Sequence, residues 1–196
     1  MKKLLLILVL AVMCNSVARA DDIDDAEKAY EKKDYATAFK LWQPLADEGI
    51  AKAKHYLGFM YQNGYGVEQD VKEAVKWYRK AARQGHGKAQ YNLGVMYEKG
   101  QGVLQDYEES VKWYRKAARK GVAGAQTNLG LMYDLGHGVI QDYVRAHMWN
   151  NLAAINGNDN GSNNRDSLAK EMTPAQISEA QDMARDCLKK NYKNCY

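Results

Sequence analysis

Residues 51–86 read AKAKHYLGFMYQNGYGVEQDVKEAVKWYRKAARQGH, and residues 87–122 continue in the same register as GKAQYNLGVMYEKGQGVLQDYEESVKWYRKAARKGV. The two blocks agree at 22 of 36 positions without a gap, and residues 123–158, AGAQTNLGLMYDLGHGVIQDYVRAHMWNNLAAINGN, form a third copy. A period of this length marks stacked supersecondary units, each too small to bury its own apolar side. Such stacks present an extended surface and no enclosed cleft, so the repeat points toward binding and away from catalysis.

Each copy encodes two helices. In the first, Ala53, Leu57, Met60 and Tyr61 recur at helical spacing and define one buried face. Gly64, Gly100 and Gly136 suit the left-handed conformation that closes this helix. Gly58, Gly94 and Gly130 stand mid-helix, where glycine costs about 1 kcal/mol relative to alanine, so their recurrence predicts close approach of the partner helix. Asp70, Asp106 and Asp142 are placed to cap the second helix, and Glu73 and Glu109 three residues on predict a capping box in two copies. Ala74, Trp77, Tyr78 and Ala81 form the buried stripe of that helix, which Gly85, Gly121 and Gly157 terminate.

Both ends carry modified units. Asp34, Ala38, Trp42, Ala46 and Gly49 match the second-helix frame of a partial repeat, preceded by a helix around residues 26–33. After the third copy, NGNDNGSNN from Asn156 reads as a polar loop leading to a short helix over about residues 165–171. Thr173 with Pro174 then starts a last helix, whose stripe is Ile177, Ala180, Ala184 and Cys187 or Leu188. The organisation is therefore a leader at 1–20, a partial repeat at 21–50, repeats at 51–86, 87–122 and 123–158, and capping helices at 159–196.

The leader has Lys2 and Lys3, an apolar run from Leu4 to Met13, and Ala18-Arg19-Ala20 as a cleavage site after Ala20. The run is about half the length needed to span a bilayer, so a periplasmic or secreted product with no integral membrane segment is expected. Cys14 raises a lipid anchor as the alternative, against which stands the large Met13 before it. Without the leader the chain holds 25 basic and 24 acidic residues, a balance that gives no support for nucleic-acid binding. Two cysteines remain, Cys187 and Cys195, and an even count in an exported chain predicts a disulfide.

At these residues the chain resembles the Sel-1-like repeat family, relatives of the tetratricopeptide repeats. The pattern is carried by Ala53, Leu57, Gly58, Tyr61, Gly64, Gly66, Val67, Asp70, Ala74, Trp77, Tyr78, Ala81, Ala82 and Gly85, and by their equivalents in the later copies. The tail MTPAQISEAQDMARDC resembles the terminal helix of exported bacterial members. Ser110 stands where the family has alanine, and Asn150 where it has an aromatic residue. The resemblance implies an all-α, right-handed α-solenoid acting as a non-enzymatic protein-interaction scaffold, in envelope maintenance or in contact with a host. It also implies an alternative, since one cysteine-rich branch is linked to β-lactams: a cell-wall-directed hydrolase or a binder of peptidoglycan fragments. This chain lacks that branch's cysteine pair in each repeat.

By the same resemblance the first helices line a concave face that takes a protein or peptide partner. Positions spaced 3, 4 and 3 apart make one stripe opposite the buried one. It holds Lys52, His55, Phe59 and Gln62 in the first copy and Lys88, Tyr91, Val95 and Glu98 in the second. The third contributes Gly124, Thr127, Leu131 and Asp134. Apolar centres ringed by polar groups suit a peptide groove; the alternative is that Phe59, Val95 and Leu131 pack between neighbouring first helices.

Other chemistry has thin support. Ser167-Leu168-Ala169-Lys170 matches the S-x-x-K of penicillin-recognising enzymes and Ser162-Asn163-Asn164 their S-x-N, but no K-T-G follows. His55, His86, His137 and His147 form no metal-ligand spacing, and no cofactor or metal is expected. In KWYRKAAR the aromatics fall on the buried stripe, leaving the lysines and arginines as a solvated face near the helix C-terminus.

Overall fold

The computed structural model describes residues 19–193 and 195. The described residues hold ten α-helices and no strand. They are α1 over residues 19–31, α2 Tyr35–Asp47, α3 Ala51–Asn63, α4 Val71–Arg83, α5 Gly87–Lys99, α6 Tyr107–Ala118, α7 Ala123–Leu135, α8 Tyr143–Ile155, α9 Asp159–Leu168 and α10 Pro174–Lys189. They group into two compact units, Met1–Trp77 and Tyr78–Tyr196, divided within α4. The expected leader, with Cys14, lies outside the described residues except for Arg19 and Ala20, which start α1.

The loops between the two helices of each copy are built alike. Gly64, Gly100 and Gly136 close α3, α5 and α7 in the left-handed region. The side chains of Asp70, Asp106 and Asp142 each accept the backbone N–H three residues on, at 2.8–2.9 Å. The expected capping boxes do not form. A box needs the cap's own N–H for the glutamate, and here that N–H is already donated to the carbonyl of Tyr61, Tyr97 or Tyr133 at 2.9 Å. Glu73 and Glu109 turn instead to Lys76 and Lys112, and Glu109 also accepts the Trp113 indole N–H at 2.9 Å. The glutamine before each cap completes the joint. Gln69, Gln105 and Gln141 donate to the carbonyls of Gln62, Glu98 and Asp134 at 2.7–2.8 Å, satisfying oxygens that the helix end leaves open.

In unit 1, Trp42 is fully buried with Leu57 and Met60, and its ring stacks on Tyr56 at 4.5 Å. Gly66 has φ +70°, and a Cβ there would lie 2.1 Å from the Tyr35 carbonyl oxygen, so the α3–α4 loop rests on the first turn of α2. Unit 2 repeats this: a Cβ on Gly138 would lie 2.4 Å from the Tyr107 carbonyl. Successive copies in unit 2 are also joined by buried Gln90 and Gln126, which donate to the carbonyls of Ala82 and Ala118. Arg79 and Arg115 reach the hydroxyls of Tyr97 and Tyr133 at 2.9 Å.

The C-terminal cap differs from expectation at its start. The polar run forms α9 from Asp159, with the Asn158 side chain accepting from Gly161 N at 3.0 Å. Gly161 is buried, and a Cβ there would lie 2.6 Å from that of Ala153, so contact with α8 holds a segment of poor intrinsic helicity. Beyond it, Thr173 and Gln176 form a full capping box on α10. Ala180, Ala184 and Cys187 are buried. Cys187 and Cys195 are bonded, with Cα atoms 5.2 Å apart. Arg119 holds the Cys195 carbonyl through two hydrogen bonds of 2.8 and 3.2 Å, tying the tail to the end of α6.

Candidate functional site

The stripe residues of the first copy all lie on α3 in unit 1. Lys52 pairs with Glu27 of α1 at 2.8 Å, and Glu27 also accepts from the Tyr56 hydroxyl at 3.0 Å. Burial and the Glu27 carboxylate push the Tyr56 phenol up to about 12. Phe59 is half-buried, edge-on to Tyr30 at 6.3 Å and tilted against Tyr65 at 6.0 Å. His55 lies edge-on to Tyr56, and the Gln62 carbonyl serves the loop joint described above. In this unit the stripe is both surface and packing: one side of Phe59 and Lys52 is committed to α1.

In unit 2 the second-copy residues lie on α5 and the third-copy residues on α7. Lys88 is exposed, and Tyr91, Val95 and Glu98 are half-buried. The Tyr91 ring rests on Gly124, where a Cβ would lie 3.3 Å from it, and burial raises its phenol. Thr127 departs from expectation. It is buried, and its hydroxyl donates to the Ala123 carbonyl of its own helix at 3.2 Å, so it offers little to a partner. Leu131 is 36% exposed. Asp134 is half-buried, and burial raises its carboxyl.

One position changes the interior beneath this face. In the second copy Tyr114 is fully buried under Gly94; its hydroxyl donates to Glu98 and accepts from Asn128 at 2.9 Å. Burial and Glu98 hold that phenol far above its usual range. The third copy replaces this tyrosine by Asn150, and the equivalents of Glu98 and Asn128 are Asp134 and Asn164. The shorter side chain leaves a cavity of about 170 Å³ lined by Leu131, Asp134, Asn150, Asn164, Ser167, Leu168 and Glu171. Asn150, Asn164 and Glu171 were not picked out by the sequence as binding residues. The signal was the break at the aromatic position, whose consequence needs the neighbouring helix α9 to be seen. The other family departure, Ser110, costs little, because its buried hydroxyl donates to the Gly94 carbonyl at 2.9 Å.

Ser167 lines that cavity while Lys170 is exposed, and no hydrogen bond joins the two side chains among the described residues. The described residues contain no cluster of three metal-ligating side chains. His86 caps α5 through its ring nitrogen, and His147 is buried in α8. The basic face of the second helices is largely engaged: Lys76 and Lys112 with glutamates, Lys116 over the Trp113 ring at 4.3 Å, and Arg79 and Arg115 with tyrosines.

The Sel1 repeat signature matches residues 26–50, 51–86, 87–122 and 123–158. The chain belongs to the Sel1 repeat family. Its fold is accordingly an all-α solenoid of helical hairpins. Among solved Sel1-type structures it is similar to c5321, a protective antigen present in uropathogenic Escherichia coli strains that displays an SLR fold. The TM-score is 0.74 and the identity 36%, over 81% of this chain and 34% of that one. The chain thus spans about a third of the length of c5321. A Sel1 repeat protein from Oxalobacter formigenes matches at TM-score 0.67 and 31% identity, over 83% of this chain and 74% of that one. Helicobacter pylori cysteine rich protein B shares the fold at TM-score 0.50 and 21% identity, over 71% and 93% of the two chains. No curated protein sequence matches the chain. Sel1 repeats generally mediate protein–protein interaction. Among the described residues no helix is long and apolar enough to cross a membrane.

Proposed function

We propose that this Sel1 repeat protein is a non-enzymatic interaction scaffold of the bacterial envelope, periplasmic or secreted, that captures a protein or peptide on its first-helix faces. The observation that carries the reading is the α5–α7 face of unit 2. There Tyr91, Val95 and Leu131 keep apolar surface accessible between Lys88, Glu98 and Asp134, while the opposite sides of both helices are consumed by the core. A half-covered aromatic anchor with a charged rim is the pattern that protein interfaces favour. Lys52, His55, Phe59 and Gln62 supply a second such patch on α3 in unit 1. The apolar leader and the Cys187–Cys195 bond support an oxidising, extracytoplasmic location.

Photocrosslinking in living cells from a probe at Tyr91 tests this directly. One dominant protein is expected by mass spectrometry, lost when the probe moves to Lys80 on the second helix. Tyr91→Ser with Leu131→Ser should abolish capture while leaving helical circular dichroism unchanged. Unaltered capture in that variant would remove the α5–α7 face from consideration.

A further inference from the structure

We infer that the segment from Lys190 to Cys195 is a redox-governed strap over the ends of α6 and α8, and that Arg119 is the positioning residue that sets the poise of the Cys187–Cys195 couple. The bond itself lies within the cap, but three anchors of the strap come from the repeats. Arg119, at the end of α6, donates twice to the Cys195 carbonyl, at 2.8 and 3.2 Å. The Tyr192 ring sits on Gly121, where a Cβ would lie 3.4 Å from it. The Tyr192 hydroxyl donates to Asn156 Oδ1 at 3.0 Å, at the end of α8. Asn156 carries this contact inward. Its Nδ2 donates to Gln126 Oε1 at 2.8 Å, and the fully buried Gln126 donates to the Ala118 carbonyl, so hydrogen bonds join the strap to the seam between α6 and α7.

Against these anchors stands the backbone. Asn191 and Tyr192 are successive non-glycine residues with φ of 49° and 60°. L-residues visit this left-handed region singly and at a cost, so a pair persists only where surrounding contacts over-determine it. The strap therefore has two states, docked with strain or released without it. Cys187 and Cys195 are 2% and 1% exposed, so a thiol reaches their sulfurs only when the strap lifts. Bond and anchors thus lock each other: the bond holds the strained pair down, and the anchored strap hides the bond. Such coupling is reciprocal, each favouring the other by the same factor. In reduction, two glutathione thiols supply two electrons and two protons and leave as glutathione disulfide, while the chain keeps two thiols. Release then frees the Arg119 guanidinium and removes Tyr192 and Lys193 from the wall of a cavity of about 420 Å³ that Gln90, Lys116, Arg119 and Lys120 also line. The device lies at the ends of the second helices and draws nothing from the proposed first-helix faces.

The test equilibrates the intact mature protein in glutathione buffers of graded potential and counts free thiols by alkylation and mass spectrometry. Arg119→Ala should shift the equilibrium roughly three- to tenfold toward the dithiol, a midpoint about 15–30 mV less negative. Tyr192→Ala should move it the same way. The sign is diagnostic, because an arginine acting only as a charge that stabilises a thiolate would, on removal, favour the bond instead. Arg119→Lys keeps the charge without the fork of donors and should recover only part of the shift. Dithiothreitol should reduce Arg119→Ala faster than the parent, and in the parent amide exchange over residues 190–193 should accelerate once the bond is cut. Arg119 is exposed, so the variant is expected to fold, which helical circular dichroism checks. An unchanged or more negative midpoint in Arg119→Ala, or a strap as protected in the dithiol as in the disulfide, would overturn the inference.

Discussion

Gly94→Ala puts the stacking frame under its most direct stress. A Cβ at this position would lie 2.6 Å from Cδ1 and Cε1 of Tyr114 and 3.2 Å from Cγ. Carbon–carbon contacts settle near 3.5–4.0 Å, so the ring would have to retreat by about 1 Å. It has nowhere to go: Tyr114 is fully buried, and its hydroxyl is held from both sides by Glu98 and Asn128. Overpacking of this kind costs about 1–3 kcal/mol, and loosening a buried hydrogen bond adds about 1–3 kcal/mol. The gain in helix propensity from replacing glycine offsets about 1 kcal/mol. The expected net loss is about 1–5 kcal/mol, and at the centre of that range, about 3 kcal/mol, it corresponds to a fall in Tm of about 6–12 °C for a chain of this size. Urea unfolding followed at 222 nm reads the loss, and near-ultraviolet dichroism reads the displaced tyrosine. In a Tyr114→Phe background, where the ring is freed from its two polar anchors, the penalty should shrink, and a double-mutant cycle measures that coupling. A Gly94→Ala protein as stable as its parent would refute the account of why glycine recurs here.

Two further outcomes follow from the C-terminal cap and from the buried imidazole. Cys187→Ser should destabilise the cap by about 2.5 kcal/mol, the chain-entropy value for so short a loop, and expose the segment after α10 to proteolysis; reductant should do the same to the parent, and insensitivity to reductant would contradict it. His147 is held neutral, its imidazole pushed down by burial and by the charge of Arg165, with Asp166 opposing. A folded pKa below the unfolded value of about 6.5 means this contribution is fully present above pH 6.5 and lost as pH falls below it. The urea midpoint of the parent should therefore drop faster between pH 7 and 5 than that of His147→Gln, and parallel profiles would dismiss the effect.

Much of this fold was legible because each copy repeats the same local chemistry. The Asp70, Asp106 and Asp142 caps, the closing glycines and the buried stripe are short-range statements, and each is met in the structure, except that Tyr61 of the first-helix stripe is only half-buried. The capping boxes at Glu73 and Glu109 were misjudged because the competitor for the cap's N–H, a tyrosine carbonyl nine residues earlier, is a tertiary partner. The role of Gln69, Gln105 and Gln141 escaped for the same reason: a side chain reaching a carbonyl seven residues back leaves no periodic trace. Helix α9 was hidden by composition, since asparagine and glycine favour turns. Its register was nevertheless in the sequence, for Asn158 and Asn164 stand one period after Val122 and Asn128. The stripe along α5 and α7 was found by spacing, but the cavity behind it was not, because spacing reports which residues share a face and not which space a lost side chain leaves.

That lost side chain leaves the third copy with a packing defect that the second does not have. Burying a tyrosine removes roughly 150–250 Å² from water, worth about 4–6 kcal/mol at the usual coefficient. The third copy forgoes most of this at Asn150 yet keeps Gly130 beneath it, where a Cβ would lie 2.6 Å from Asn150 Nδ2. It also leaves the buried Asn150 Oδ1 without a donor among the described residues. Stability is recovered beyond the repeat, where the disulfide contributes about 2.5 kcal/mol and the Thr173 capping box about 1 kcal/mol.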